Sequence, residues 1–423
     1  MTDPSPFRHT PVIRPETYKS GTYTMFNPES FITDKLHAID ASGIRRVFDL
    51  AANLKNPINL SIGQPDFDVP DTIKQAAIKA INDGKNSYTQ TQGMADLRER
   101  VMNQLISEFP QTYANAQGTF NNDDLGLLIT SGVSGALMLA LLTTISPGDE
   151  VLIPDPYFVM YKHLVTLAGG TPVFVDTYPD FQLTPDRIEK HITPKTKVLL
   201  FNTPSNPTGV VAKPEVCKAV VKLCEDKNIL MLSDEIYDEF CYEKTPSDHD
   251  GKDRCPSPAA YSPNLIMMRG YSKTYAMTGW RLGYAVGPKA VLDQMTKLQQ
   301  YSFVCAPSMT QFGGVIAHDL DMSDFVAAYK RKRDMVVDKL AGTFELTTPG
   351  GAFYAFPKVP ESLNLTGAEF VEKIIAKNCL VIPGNVFSQK DTHFRISYAC
   401  ADDKLEQGLD ILVQTANECA AAK

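Results

Sequence analysis

Lys273 and Arg281 share one run, Gly270-Tyr271-Ser272-Lys273-Thr274-Tyr275-Ala276-Met277-Thr278-Gly279-Trp280-Arg281-Leu282-Gly283. A lysine in a partly desolvated pocket loses its proton more readily than one in water, and it can attack a carbonyl to form a Schiff base. An arginine nearby can grip a phosphate through its planar fork of donors. A lysine at a strand end is, taken alone, an ordinary surface residue with a packed stem and a solvated ammonium. The company this one keeps points elsewhere. An amine that forms Schiff bases beside a phosphate anchor is the pair that pyridoxal phosphate requires.

Other reactive residues follow other apolar segments. Lys197–Phe201 runs into Asn202-Thr203-Pro204-Ser205-Asn206-Pro207-Thr208-Gly209, and Ile229–Leu232 runs into Ser233-Asp234-Glu235-Ile236-Tyr237. Leu127–Thr130 leads to Ser131-Gly132-Val133-Ser134-Gly135-Ala136-Leu137, small residues whose N–H groups open a helix and suit a phosphate. Each motif has a plainer reading: Asn-Pro-Thr-Gly as a turn, the Gly/Ser run as a cap, Asp-Glu as acids set against a helix dipole. In open parallel sheets, however, ligands bind at the carboxyl ends of strands. Asn206, Asp234, Tyr237, Lys273 and Arg281 come in that order, in segments that follow or adjoin an apolar run.

The elements that must position these residues are legible as well. Candidate strands are Leu127–Thr130, Val151–Pro154, Pro172–Val175, Lys197–Phe201, Ile229–Ser233, Leu265–Met268 and Leu282–Val286, with helical patterns such as Lys213–Lys227 between them. Near-continuous apolar runs are expected of strands covered on both faces. The fold class is therefore α/β: a large domain with a mostly parallel, helix-covered sheet. After about Ser308 the pattern changes to a long helix (about Ser323 to Leu340), strands at Gly351–Phe356 and Phe394–Ala399, and a helix from Asp402. That reads as a smaller α+β domain. The expected division is an N-terminal arm (1–29), a small domain (30–59 and 308–423) whose first part is a helix pattern at 30–53, and a large domain (60–307). Glu243–Pro263 reads as a surface loop, its Asp248-His249-Asp250 an exposed polar turn rather than a metal site.

Composition bounds the partners. The 423 residues are 43% hydrophobic and 21% charged, with a formal net charge of -8 and no basic block. That argues against nucleic acid or an anionic membrane as the main partner. The eight cysteines form no Cys-x-x-Cys and no Cys/His spacing, so free thiols in a reducing compartment are expected, and no metal. Met1–Ser30 is polar, without the apolar core of a secretory signal, and no run is long enough to cross a membrane; a cytoplasmic protein is expected.

The ordered set resembles the class I/II aminotransferases of the fold-type I pyridoxal-phosphate superfamily. The pieces are Ser61-Ile62-Gly63-Gln64-Pro65-Asp66-Phe67, Tyr88-Thr89 with Gly93 and Leu97-Arg98, Asn206-Pro207-Thr208-Gly209, Asp234-Glu235-Ile236-Tyr237, Ser272-Lys273, Gly279-Trp280-Arg281-Leu282-Gly283 and Phe394-Arg395-Ile396-Ser397-Tyr398-Ala399. The resemblance implies that Lys273 holds the cofactor and acts as general base and acid. It implies that Asp234 pairs with the pyridine nitrogen, and that Tyr237 and Asn206 bond the ring's 3′ oxygen. Phe158, or neighbouring Tyr157, would stack on the ring; Arg281, Val133, Ser134 and Ser272 would hold the phosphate. Arg395 would grip the substrate α-carboxylate with help from Gly63. Tyr88 would reach the phosphate of a neighbouring subunit, which implies a homodimer with shared active sites.

The activity implied is transfer of an amino group between an L-amino acid and a 2-oxo acid (2-oxoglutarate or pyruvate) by ping-pong half-reactions, with a donor of the aspartate, aromatic or alanine type. Ser134 stands where some bacterial aspartate aminotransferases carry a lysine for the distal carboxylate. The runs Thr130–Ala136 and Pro156-Tyr157-Phe158 are closer to the tyrosine and alanine branch. Alternatives are a C–S lyase or a cyclopropane-forming synthase of the same fold, and a non-catalytic cofactor-binding regulator. A nucleotide enzyme would need a Gly-x-x-x-x-Gly-Lys-Ser/Thr or Gly-x-Gly-x-x-Gly loop, which the chain lacks.

Overall fold

Alternation along the strands builds the larger part of the molecule, seen in a computed structural model that describes residues 26–39, 54–247 and 250–422. The strands are β1 (Leu125–Thr130), β2 (Glu150–Asp155), β3 (Thr171–Asp176), β4 (Thr196–Asn202), β5 (Leu230–Asp234), β6 (Leu265–Gly270) and β7 (Gly283–Pro288). Leu200, Leu232, Ile266 and Met268 join one buried cluster, while Leu199, Phe201, Met231, Leu265 and Met267 join another. The period of two sends alternate side chains to opposite faces, and both faces are covered. Each fully buried leucine or isoleucine contributes roughly 2 kcal/mol through burial.

The order across the sheet is β1-β7-β6-β5-β4-β2-β3. β2 pairs in parallel with β3 and β4, β4 with β5, and β5 with β6; β7 runs antiparallel to both β1 and β6. The sheet is thus mostly parallel with one reversed strand. Register places Asn202 beside Asp234, and Asp234 beside Met268, at the carboxyl edge.

Helices α1 (Asp71–Asn82), α2 (Ala95–Glu108), α3 (Gly132–Thr144), α4 (Met160–Ala168), α5 (Pro214–Asp226), α6 (Lys289–Ser302) and α7 (Ser308–Ala317) flank this sheet. α3 is apolar almost all round, the mark of a helix with several covered faces. α7 packs on α1 and α2: a Cβ at Gly313 would stand 3.0 Å from Ile73, and one at Gly314 3.2 Å from Leu97. It therefore lies with the large sheet's helices, although the expected small domain began at 308.

The smaller unit contains α8 (Ser323–Leu340), α9 (Gly367–Ala376) and α10 (Asp402–Ala421). Its sheet is β8 (Tyr354–Ala355), β9 (Ile382–Pro383) and β10 (Phe394–Ser397), with β10 central and antiparallel to both neighbours. Ile58–Asn59 pairs with Cys379–Leu380, and Ser397 N–H donates to Leu60 O at 2.7 Å, so the segment before Ser61 is tied to this unit.

Of the N-terminal expectations, residues 1–25 of the arm and 40–53 of the first helix pattern lie outside the described residues, as do Asp248 and His249. A 3-10 turn (Pro28–Phe31) and a short helix (Asp34–His37) are described. The surface-loop reading of Glu243–Pro263 needs correction: Ser257, Ala259 and Ser262 are buried. Ser257 Oγ donates to Glu235 Oε1 at 2.8 Å, so part of this polar stretch satisfies a buried acid instead of facing water. No helix of the described residues is long and apolar enough to cross a membrane.

Candidate active site

One cavity of about 350 Å³ opens at the carboxyl ends of β4, β5 and β6, against the start of α3 and the segment 61–64. β5 delivers Asp234 to it because Leu232 and Asp234 share a strand face. The carboxyl is buried; its Oδ2 accepts from Tyr161 Oη at 2.7 Å, and Oδ1 accepts from the Ile236 N–H at 3.3 Å. Burial pushes its pKa up to about 6, opposed by the Tyr161 hydrogen bond.

The turn after β6 carries Ser272 and Lys273 into the same space. Lys273 Nζ donates to Gly63 O at 2.6 Å and stands 5.8 Å from the ring centres of Tyr237 and Phe353. Burial brings its pKa down to about 8; Arg395 acts in the same direction and Asp234 against it. Such an amine has an appreciable neutral fraction near neutral pH, as a nucleophile or base needs.

Arg281 has a left-handed backbone (φ 56°) and turns its guanidinium towards the start of α3. Nη1 donates to Thr278 O at 3.0 Å and Nη2 to Ser131 O at 3.5 Å. Gly132 makes this approach possible: its φ is +69°, and a Cβ there would stand 2.8 Å from Nη2. Among the described residues the first turn of α3 receives no side-chain cap. The amides at Val133 and Ser134, both of which line the cavity, stand with Arg281 as a group of donors that could hold an anion.

Arg395, in β10, is only 1% exposed. Nη1 donates to Asn206 Oδ1 at 3.1 Å and Nη2 to Ser61 O at 2.7 Å. Its guanidinium lies between the rings of Tyr354 (4.6 Å) and Phe387 (4.5 Å). Nε is buried and finds no hydrogen-bond partner among the described residues. A flat cation stacked against two rings and lining the cavity suits a planar carboxylate. Asn206 is held by its own N–H, which donates to Asn202 Oδ1 at 2.9 Å.

The ring-stacking alternatives separate. Tyr157 is core, stacked on Phe174 at 5.0 Å with its hydroxyl accepting from Gln389, whereas Phe158 lines the cavity. Tyr237 also lines it, buried, with its hydroxyl 2.9 Å from that of Tyr354; burial raises its pKa well above the ordinary value. Gly63 lines the cavity through the backbone that holds Lys273. Tyr88 is the exception, 82% exposed and outside the cavity wall of a single chain.

Sequence reasoning passed over Tyr161, Tyr354, Ser61 and Asn202, all of which line the cavity. Tyr161 lies in the first turn of α4 and meets the Phe158 ring edge-on at 5.6 Å, a contact that its sequence surroundings did not signal. Tyr354 gave no signal either, since it lies within the apolar run Ala352–Phe356.

Behind the cavity, on the opposite sheet face, Glu235 meets Arg269. Arg269 Nε and Nη2 donate to Glu235 Oε2 at 3.2 and 3.0 Å; Nη1 reaches Glu108 at 2.6 Å and Asp238 at 3.2 Å. Ser233 and Ser257 both donate to Glu235 Oε1 at 2.8 Å.

The family model for aminotransferase class I and II matches residues 55–412. The chain is 37% identical over 391 residues to a probable aspartate aminotransferase of Methanocaldococcus jannaschii, covering 90% of this chain and 98% of that one. It is 35% identical to aromatic-amino-acid aminotransferase 2 of Thermococcus litoralis, covering 92% and 98%. Among solved structures, aspartate aminotransferase from Thermus thermophilus with maleate superposes with a TM-score of 0.81 at 30% identity, covering 91% and 99%.

Proposed function

The chain belongs to the class I and II aminotransferases, and on that premise we propose that it moves an amino group between an L-amino acid and a 2-oxo acid, 2-oxoglutarate or pyruvate, in two ping-pong half-reactions at this cavity, with pyridoxal 5′-phosphate as cofactor. The residues fit that cofactor. The helix start at Gly132–Ser134 has room for Arg281 only because residue 132 lacks a Cβ, Asp234 is a buried carboxyl with one hydroxyl donor, and Lys273 is an amine of lowered pKa. Arg281, Val133, Ser134 and Ser272 would hold the phosphate, Phe158 a ring face, Asp234 the ring nitrogen, Tyr237 and Asn206 the ring oxygen, and Lys273 the aldehyde carbon. When bound, the cofactor supplies an electron sink that makes the α-proton of the amino acid removable.

The chain's own residues do the rest. Arg395 takes the α-carboxylate in its planar fork, steadied by Asn206 and the Ser61 carbonyl. Nζ of Lys273 takes the proton from the amino acid's Cα. Asp234, a buried carboxyl ionised above about pH 6 in the cofactor-free protein, would supply the negative charge that pairs with the ring nitrogen. The cavity wall's cations among the described residues are Lys273, Arg281 and Arg395, each committed. A substrate whose side chain is a carboxylate, 2-oxoglutarate included, therefore has to find its second cation outside this wall, and donors of the aspartate, aromatic and alanine type all remain candidates.

Exposed apolar residues support a homodimer with shared sites. Tyr88 and Tyr301 are largely exposed, and Met138, Leu142 and Phe303 are half-exposed around α3 and the end of α6. All eight cysteines are free thiols, which supports a reducing compartment, the cytoplasm.

The observation that carries the proposal is that Lys273, Asp234, Arg281 and Arg395 open onto one cavity of about 350 Å³. The test is the absorbance of enzyme loaded with pyridoxal phosphate, titrated with aspartate, alanine, tyrosine, methionine and valine. The band shifts with a good donor and returns with 2-oxoglutarate or pyruvate. No shift with any amino acid in a broad panel sinks the reading.

A further inference from the structure

Tyr354 touches three parts of the site at once. It sits in β8 opposite Ser397 of β10, and the diagonal across that antiparallel pair brings its ring under Arg395 at 4.6 Å. Its hydroxyl is 2.9 Å from that of Tyr237. The same hydroxyl presses on the backbone at Gly63, where a Cβ would stand 2.6 Å away, and the Gly63 carbonyl holds Lys273. The neighbours Ala352, Phe353, Ala355 and Phe356 are apolar and buried. Packing alone would be met by phenylalanine at 354. A hydroxyl in this setting needs a partner to offset its desolvation, and the partner it has belongs to the site.

We propose that Tyr354 is a positioning residue: its ring carries one face of the Arg395 guanidinium while its hydroxyl orients that of Tyr237, so that one side chain sets both carboxylate capture and the hydroxyl facing the cofactor. The inference rests on the aminotransferase reading above. It separates two functions by atom. The ring governs how well the donor's carboxylate is held, and the hydroxyl governs the hydrogen bond that Tyr237 can offer.

The test uses the full chain loaded with pyridoxal phosphate, in wild type, Tyr354→Phe, Tyr354→Leu, Tyr237→Phe and the double variant Tyr237→Phe/Tyr354→Phe. Steady-state kcat and KM for the best donor are measured, with the pH midpoint of the cofactor absorbance band. Tyr354→Phe lowers kcat about fivefold at nearly constant KM, as loss of one neutral hydrogen bond predicts. It also moves the band's midpoint in the same direction as Tyr237→Phe. In the Tyr237→Phe background the same change adds less than about twofold, because its route is gone. Tyr354→Leu raises KM about tenfold in addition, through loss of the ring beneath the guanidinium. An unmoved midpoint in Tyr354→Phe, or effects of the two hydroxyls that multiply in the double variant, overturns the proposal. Wild type that shows no spectral change with any amino acid overturns the aminotransferase reading instead, so the two failures are distinguishable.

Discussion

Asp234 and Glu235 are chain neighbours, both acidic and both almost fully buried, yet they meet opposite environments. Glu235 faces the rear of the sheet and is saturated: Arg269 donates to one oxygen, and Ser233 and Ser257 to the other. Asp234 faces the cavity with one hydroxyl and one backbone N–H, and its pKa rises to about 6. The rear acid is fully partnered and binds its surroundings together. The front acid is left short of partners, and its desolvation is a cost to folding that a ligand can relieve. Burial by itself does not separate a structural acid from a functional one; the count and kind of its partners does.

Four experiments break or sharpen that contrast. The largest effect falls on the front face: Lys273→Ala should lower kcat on the order of 10⁴-fold or more, with cofactor still retained through Arg281. Full activity in that variant reassigns the nucleophile.

The contrast itself is tested by Asp234→Asn against Glu235→Gln. Asp234→Asn should lower kcat on the order of 10³-fold. Because its carboxyl titrates at about 6 in the fold against an ordinary 3.8, Asp234's own contribution to the stability of the cofactor-free protein is fully present below about pH 4 and is lost as pH rises through 6. The amide should therefore stabilise the cofactor-free protein above pH 6, by roughly 1–3 kcal/mol. Glu235→Gln should destabilise it, on the order of 3 kcal/mol, with a smaller change in kcat. Urea midpoints at pH 5 and pH 8 decide, and equal shifts for the two variants abolish the distinction.

Arg395→Lys should raise KM for the donor about 10–100-fold while leaving the absorbance of the loaded enzyme alone, since an ammonium cannot replace a planar fork. An unchanged KM sends the carboxylate elsewhere. The smallest effect is Tyr161→Phe. This hydroxyl lowers the Asp234 pKa, so its removal should move the acid limb of the pH–rate profile upward by about one unit. A limb that stays in place means the phenol only packs.

Much of this was open to reading along the chain. The seven strands of the large sheet lie within a few residues of the apolar runs that suggest them, because continuous burial on both faces leaves few polar positions. The reactive residues at or just past the ends of β4, β5 and β6 were visible for a related reason: Asn206, Asp234 and Lys273 lie within a few residues of the ends of apolar segments. Tyr354 and Tyr161 were hidden, being aromatic residues in apolar surroundings, where a phenol resembles packing until its hydroxyl is placed. The buried Ser257 and Ser262 were misjudged because a serine's composition signal is the same whether water or a glutamate, Glu235 for the one and Glu225 for the other, bonds it.

Strand periodicity and local chemistry are properties of neighbours in the chain, and these the sequence determined by itself: an α/β sheet, an amine after one strand, an acid after another, a glycine-started helix. Strand order, the reversal of β7, and the meeting of Arg395 with Ser61 and Asn206 across 334 and 189 positions were decided only in three dimensions. The reason is physical. Which faces pack together, and which buried polar atom meets which, depends on the sum of many weak contacts between distant segments, and no short stretch of sequence carries that sum.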